Sequence, residues 1–281
     1  MKSKAKKRTQ TILRYVLLIL LLVILLFPIW WMIVGSLRPG YKMISLDDVA
    51  FWPKDFTLEN FAKILSRAKY IGYFKNSFIV AGGTVLLTLV VAAPAAYSFS
   101  RYKFFGKAGV LSAVQSVQMF PIVVILVSLY TFYNKWGLLN TYRGMILADV
   151  TFSLPLAITL LKSFFDTVPK ELDESAKMDG AGRMRTMLMI IMPLVRSGII
   201  AVAVYTFLTS WDDYLMALTI ARVEEKRTLA VGLAQSFMGE YSNDYGALMA
   251  FSVAGSLPII LLFVFFQKYM VEGMTAGAVK G

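Results

Sequence analysis

The chain has 281 residues, 58% of them hydrophobic and 16% charged, where soluble domains run at roughly 45–50% apolar. That excess cannot be hidden in one soluble core of this size, so a lipid-facing surface is required. Neither Cys nor His occurs, which excludes disulfides, thiolate metal sites, histidine triads, His-based zinc sites and histidine proton relays. A net charge of +12 would suit nucleic acid, but in a chain this apolar Lys and Arg gather in cytoplasmic segments facing anionic membrane lipid, and no nucleic-acid partner is expected.

A helix needs roughly 20 apolar residues to cross a bilayer. Six stretches qualify, at about residues 12–37, 74–100, 108–133, 144–165, 193–218 and 245–270. The expected fold is therefore all-α and polytopic, one membrane domain over 1–281 with six transmembrane helices. The first stretch ends in Phe27-Pro28-Ile29-Trp30-Trp31 with no small-residue cleavage site after it, so it reads as an uncleaved span with indoles at the outer interface. Lys2, Lys4, Lys6, Lys7, Arg8 and Arg14 precede it. Arg101, Lys103 and Lys107 follow the second span, whereas the loop after the third has only Lys135 and Arg143. This bias puts the N-terminus in the cytoplasm, and six spans put the C-terminus there too.

The segment 167–192 between spans four and five is different in kind. Pro169 suits a first helical turn, and Glu171, Asp173 and Glu174 complement its positive end. Gly180 and Gly182 are placed to stop that helix. A second helix then shows Met184, Met187, Leu188 and Ile191 at one-face spacing, and Pro193 opens span five. The expected result is an elbow of two short helices. Ser175, Ala176 and Gly180 leave room for another protein's backbone, and Glu174 and Asp179 offer acceptors beside them. An amphipathic connector lying on the membrane has the same local pattern.

Glu174-Ser175-Ala176, three residues, Gly180, nine residues and Ile190-Ile191-Met192-Pro193 resemble the EAA loop of ABC importer permeases, with Ser175 in place of Ala and Met192 in place of Leu. Phe207 to Tyr214 is similar to the FxxxWNDF stretch of carbohydrate permeases, with Asp212 for Asn. Thr228 to Leu233 resembles TLPVGL, and the ending Gly273 to Gly281 resembles GLTAGAVKG. The chain thus resembles, over essentially its whole length, MalG-like permease subunits of carbohydrate-uptake ABC importers.

That resemblance implies a bacterial inner-membrane protein that forms half of a translocation path with a second, MalF-like permease. It implies a dimer of ATP-binding subunits beneath them and an extracytoplasmic solute-binding protein above. Oligosaccharides are the leading solute class. The EAA residues Glu174, Ser175, Ala176, Asp179, Gly180 and Pro193 would couple the path to the ATPase, and the small, flexible tail at 271–281 would touch it through Thr275, Ala276 and Gly277. The chain has no phosphate loop, because Gly106-Lys107 is preceded by Arg101 where the first Gly belongs and followed by Ala108 where a hydroxyl belongs. It is therefore not an enzyme by itself and binds no cofactor, ATP and Mg being used by the partner.

Polar groups inside the spans are candidates for the path. Asn76, Gln115, Gln118, Asp149, Tyr205 and Trp211 either line it or bond between helices. Trp211, Tyr214, Asp212 and Asp213 suit a sugar's stacking faces and hydroxyls, an outer interface or a binding-protein contact equally. The polar segment 219–244 is expected to face the binding protein. An ion-coupled secondary transporter would need a complete coupling site among buried acids, and Asp149 is the single acid well inside a span. A membrane hydrolase would need clustered carboxylates, and adjacent Asp212 and Asp213 do not face each other on a helix.

Overall fold

The computed structural model describes residues 2–40, 52, 55–237 and 244–278. It is all-helical, and among the described residues there is no strand. Contacts divide the chain into two compact units, one of Met1–Ala68 with Leu233–Ser256 and one of Lys69–Gly232 with Leu257–Gly281.

In the first unit α1 (Lys2–Ser36) is exposed from Ile12 to Trp30, mostly through Leu, Ile and Val, the surface that a lipid environment would cover. Its last carbonyls have no helical partners of their own. α2 (Glu59–Ser66) supplies them: the buried Asn60 amide donates to the carbonyls of Ser36 at 2.9 Å and Arg38 at 2.7 Å. Lys63 sits between Glu59 at 3.2 Å and Asp244 at 3.6 Å. These carboxylates raise its pKa, the hydrogen bond to Glu59 being the largest cause.

The second unit is built on α3 (Ala68–Arg101) and α6 (Tyr142–Thr167). Small residues allow the close packing that membrane helices need. Ala92, Ala96 and Ala157 are fully buried beside Leu161, Phe165, Ile191 and Val202. Gly198 lies so near α6 that a Cβ there would sit 2.3 Å from the Phe164 ring. A second apolar cluster gathers Val80, Met145, Met216, Ile220 and Val231.

Among the described residues four helices are long and apolar enough to cross a membrane: Gln10–Ser36, Ala68–Arg101, Tyr142–Thr167 and Tyr245–Tyr269. Two bent pairs raise the number to six if each is one span. The third expected span is one of them. α4 (Lys107–Ser116) continues through a 3₁₀ turn to Met119, and α5 (Ile122–Lys135) leaves at 97°. Pro121 cannot supply an amide hydrogen and holds Phe120 extended, so the ladder stops there.

The fifth expected span also departs from a single rod. After α7 (Glu171–Met178) come α8 (Arg183–Arg185), a π-helical turn (Thr186–Ile191) and α9 (Met192–Leu194). The chain bends by 85° before α10 (Arg196–Trp211). Pro193 sits at a helix start as expected, but that helix is the short α9, and α10 begins only after the bend. α10 itself stops at Trp211, and α11 (Leu215–Ile220) starts anew, with the Asp213 carboxylate accepting from the amides of Met216 at 3.3 Å and Ala217 at 2.7 Å. α12 (Leu229–Phe237) and α13 (Tyr245–Ala278) complete the chain. α13 is helical through Ala278, so the expected flexible tail begins as helix. The side chains of Thr275, Ala276 and Gly277 lie outside the described residues.

Candidate functional site

The elbow closes α7 with a left-handed residue, Gly180 at φ +79°. The Ala181 amide then reaches the Ala176 carbonyl at 2.9 Å, and the Gly180 amide reaches Lys177 at 3.1 Å. This is the paired arrangement by which a C-terminal glycine satisfies the last carbonyls. Gly182 has ordinary extended torsions and only precedes α8, so one glycine, not two, makes the stop. The expected apolar stripe is half right. Met187 and Ile191 are buried, but Met184 is 60% and Leu188 50% exposed. A π-helical turn bonds i to i+5 instead of i to i+4, which moves Thr186, Met187 and Ile191 onto the inner face.

The faces of α7 sort its residues. Lys170, Asp173, Glu174 and Lys177 line a cavity of about 430 Å³ shared with Tyr97, Arg101 and Arg183. Exposed Leu172, Ser175 and Asp179 point the other way. Ala176 is 3% exposed, packed inside the elbow, and offers no room to another backbone. Nothing lies within 4 Å of the Cβ position at Gly180, which keeps that space open. Glu174, expected beside Ser175 on one docking patch, belongs to the inner wall.

The elbow is bolted to α3 by a residue that composition alone did not single out. Asp173 meets Arg101 Nε at 2.8 Å and accepts from the Tyr97 hydroxyl. The arginine side chain is 5% exposed and the aspartate 19%. Nε is thus ion-paired, while Nη2 of the buried guanidinium has no hydrogen-bond acceptor among the described residues. Arg183 lies 5.1 Å over the Tyr102 ring. Nearby, Asp166 accepts from Ser100 at 2.7 Å and pairs with Lys162 at 2.6 Å.

Asn76 sits 25 residues from Arg101 on the same helix, about 37 Å away at 1.5 Å per residue. It was a candidate for the path. The structure makes it a buried clamp, 2% exposed. Its amide donates to the carbonyls of Glu225 at 2.9 Å and Arg227 at 2.8 Å, and its oxygen accepts from the Tyr142 hydroxyl at 2.8 Å. Ser77 accepts from the Leu229 amide at 2.8 Å. The Tyr73 hydroxyl donates to Glu224 at 3.0 Å, and Lys69 lies 3.6 Å from the same carboxylate. The tyrosine hydrogen bond, with Lys69 and Arg227 nearby, holds the Glu224 carboxyl below its usual range. Asn140 in the left-handed region accepts from the amides of Arg222 and Val223. The segment 222–229 is thus stitched down along its length. Gly239, expected in the same outer loop, lies outside the described residues.

The remaining path candidates divide. Asp149 is 8% exposed and accepts from Ser210, whose hydroxyl also lies 3.4 Å from Thr84. It is buried between helices. Trp211 is 2% exposed, stacked on Phe207 at 5.4 Å and edge-on to Phe78 at 4.8 Å, so it offers no face to a sugar. Tyr205 is half-buried. Gln115 is exposed and donates to Thr159 at 3.2 Å, and Gln118 is exposed. The structure therefore does not bring the six together as one site.

Comparison with known proteins accords with this architecture. The family model described as binding-protein-dependent transport system inner membrane component matches residues 84–276, which include the elbow. The chain is 36% identical over 266 residues to the trehalose/maltose transport system permease protein MalG of Thermococcus litoralis, covering 94% of each. It is 32% identical to the maltodextrin transport system permease protein MdxG of Bacillus subtilis, covering all of both. Among solved structures, a chain of a bacterial ABC transporter involved in import of the acidic polysaccharide alginate superposes with TM-score 0.83 at 21% identity, covering 94% of this chain and 97% of that one. At that identity the likeness is one of fold.

Proposed function

This chain belongs to the family of binding-protein-dependent transport system inner membrane components, and from that premise we propose that it is the permease subunit of an ATP-driven importer of sugars, oligosaccharides foremost. It lies in the bacterial cytoplasmic membrane as six spans, two of them broken, with both termini in the cytoplasm. A second, MalF-like permease supplies the other half of the path. A dimer of ATP-binding subunits drives it, and an extracytoplasmic binding protein delivers the solute.

The observation that carries the coupling step is the division of α7 into two faces. The outer face, Leu172, Ser175 and Asp179 beside open Gly180, is free to enter a groove on the ATPase. The inner face is held to α3 through Asp173, Arg101 and Tyr97. When the ATPases close, the elbow moves as a rigid body. It carries spans four and five, which it joins, and the Asp173 ion pair makes α3 move with it.

Purification of the tagged chain with its natural partners should recover a second permease and an ATPase. Within that assembly, Ser175→Arg places a long cation on the docking face without touching the Gly180 turn. Uptake in vesicles should fall at least tenfold while membrane insertion is unchanged. Gly180→Arg should do the same, but its positive φ adds strain, which makes Ser175 the cleaner test. Normal uptake by both variants would sink the docking role.

A further inference from the structure

We propose that the cavity between the inner end of α3 and the inner face of α7 binds a phosphate group, held as the headgroup of an anionic phospholipid. The inference rests on the reading that the elbow lies at the cytoplasmic face. Four cations, Arg101, Lys170, Lys177 and Arg183, line the cavity against two carboxylates, Asp173 and Glu174. Asp173 is already engaged by Arg101 and Tyr97. Lys170 and Lys177 have no ion pair among the described residues, and Arg183 rests on an aromatic ring. The wall therefore carries surplus positive charge.

The second observation is the state of Arg101. Its side chain is 5% exposed and its Nε faces Asp173, yet among the described residues Nη2 finds no hydrogen-bond acceptor. Leaving a charged donor buried and unmatched is costly. A phosphate presents several oxygens, which suits the forked guanidinium and the point charges of two lysines together. The lipid source is favoured by place. Tyr97 and Tyr102 flank the cavity at the end of a membrane-spanning helix, where amphipathic rings meet headgroups. Basic pockets between helices on this side of a membrane recruit acidic headgroups. A protein arriving from the cytoplasm meets the opposite face of α7.

The test uses the assembled importer and the triple variant K170Q/K177Q/R183Q, which leaves the Arg101–Asp173 anchor intact. Both are purified from membranes containing phosphatidylglycerol and phosphatidylcholine, and bound lipid is counted by native mass spectrometry. The wild type should retain a phosphatidylglycerol that the variant holds at least fivefold less, with phosphatidylcholine adducts unchanged. In a second arm, the delipidated assembly is titrated with inorganic phosphate against chloride at constant ionic strength. Phosphate binding that the variant loses, with no retained lipid, supports the anion site and assigns it to a free phosphate. Equal lipid retention in both proteins and no phosphate binding would overturn the proposal. So would an ATPase side chain filling the cavity in a structure of the complex. The readout is bound lipid, whereas co-purification of the ATPase reports separately on the premise about the elbow.

Discussion

The two ends of α3 meet two loops that treat polar groups in opposite ways. At the Asn76 end, segment 222–229 hands its carbonyls, amides and the Glu224 carboxylate to partners on α3 and to Asn140. At the Arg101 end, the elbow spends one carboxylate on an anchor and leaves Lys170, Glu174, Lys177, Ser175 and Asp179 exposed. The first loop is closed on itself and behaves as part of the helix bundle. The second is fixed along one face and open along the others, as a part that must dock and move requires. Connecting them is one helix, long enough to cross the hydrocarbon core of a bilayer.

The comparison breaks most sharply at Asn76. Asn76→Leu strips partners from two partly buried carbonyls and the Tyr142 hydroxyl, each worth up to about 1–3 kcal/mol when left unmatched and away from water. We expect a loss of several kcal/mol under that principle, seen as a large drop in melting temperature of the detergent-purified complex. An unchanged melt would show that the clamp is decorative. Asp173→Ala leaves Arg101 buried without its counter-ion, which costs about 3–5 kcal/mol for a fully buried pair and less here because Asp173 is partly exposed. Its signature differs: ATP hydrolysis should persist while its stimulation by the binding protein falls severalfold, because α3 no longer follows the elbow. Retained stimulation would remove α3 from the coupling route.

The smallest effect belongs to Glu224. Its folded pKa is lowered, so its contribution to stability is present above the ordinary glutamate value of about 4.3 and is lost as pH falls through the lowered folded value. Melting curves across that acidic window should flatten in Glu224→Gln. Equal slopes in both proteins would show that the Tyr73 and Lys69 contacts carry no charge dependence. The side chain is half exposed, so the effect at neutral pH is slight.

Much of this was readable from local pattern. The turn at Gly180 follows from a glycine after an acidic helix, and the left-handed φ and paired amide bonds are what that reading requires. Proline was ambiguous. Pro193 does sit in the first turn of a helix, the short α9, but the chain bends sharply just after that helix, and Pro121 lies at a sharp bend inside an uncharged stretch. A proline at a first turn and a proline that ends a ladder leave the same letter in the sequence. Leu188 is exposed because the 3.6-residue period does not hold in a turn, Thr186–Ile191, that winds as a π-helix, and Met184 lies in the short α8 before it.

Taken alone, the sequence determined that the chain is a multi-pass helical membrane protein with a helix–turn elbow, because length, apolarity and glycine placement are local properties with local consequences. Which polar groups meet was decided only by the tertiary structure. Tyr97 and Asp173 are 76 residues apart in the chain, and Asn76 is about 150 from the carbonyls it holds. A buried polar group is satisfied by whatever partner the packed helices bring within hydrogen-bonding distance. That is why Asn76 and Trp211 read as equally good path candidates from residue type, and why packing made one a clamp and the other a buried ring.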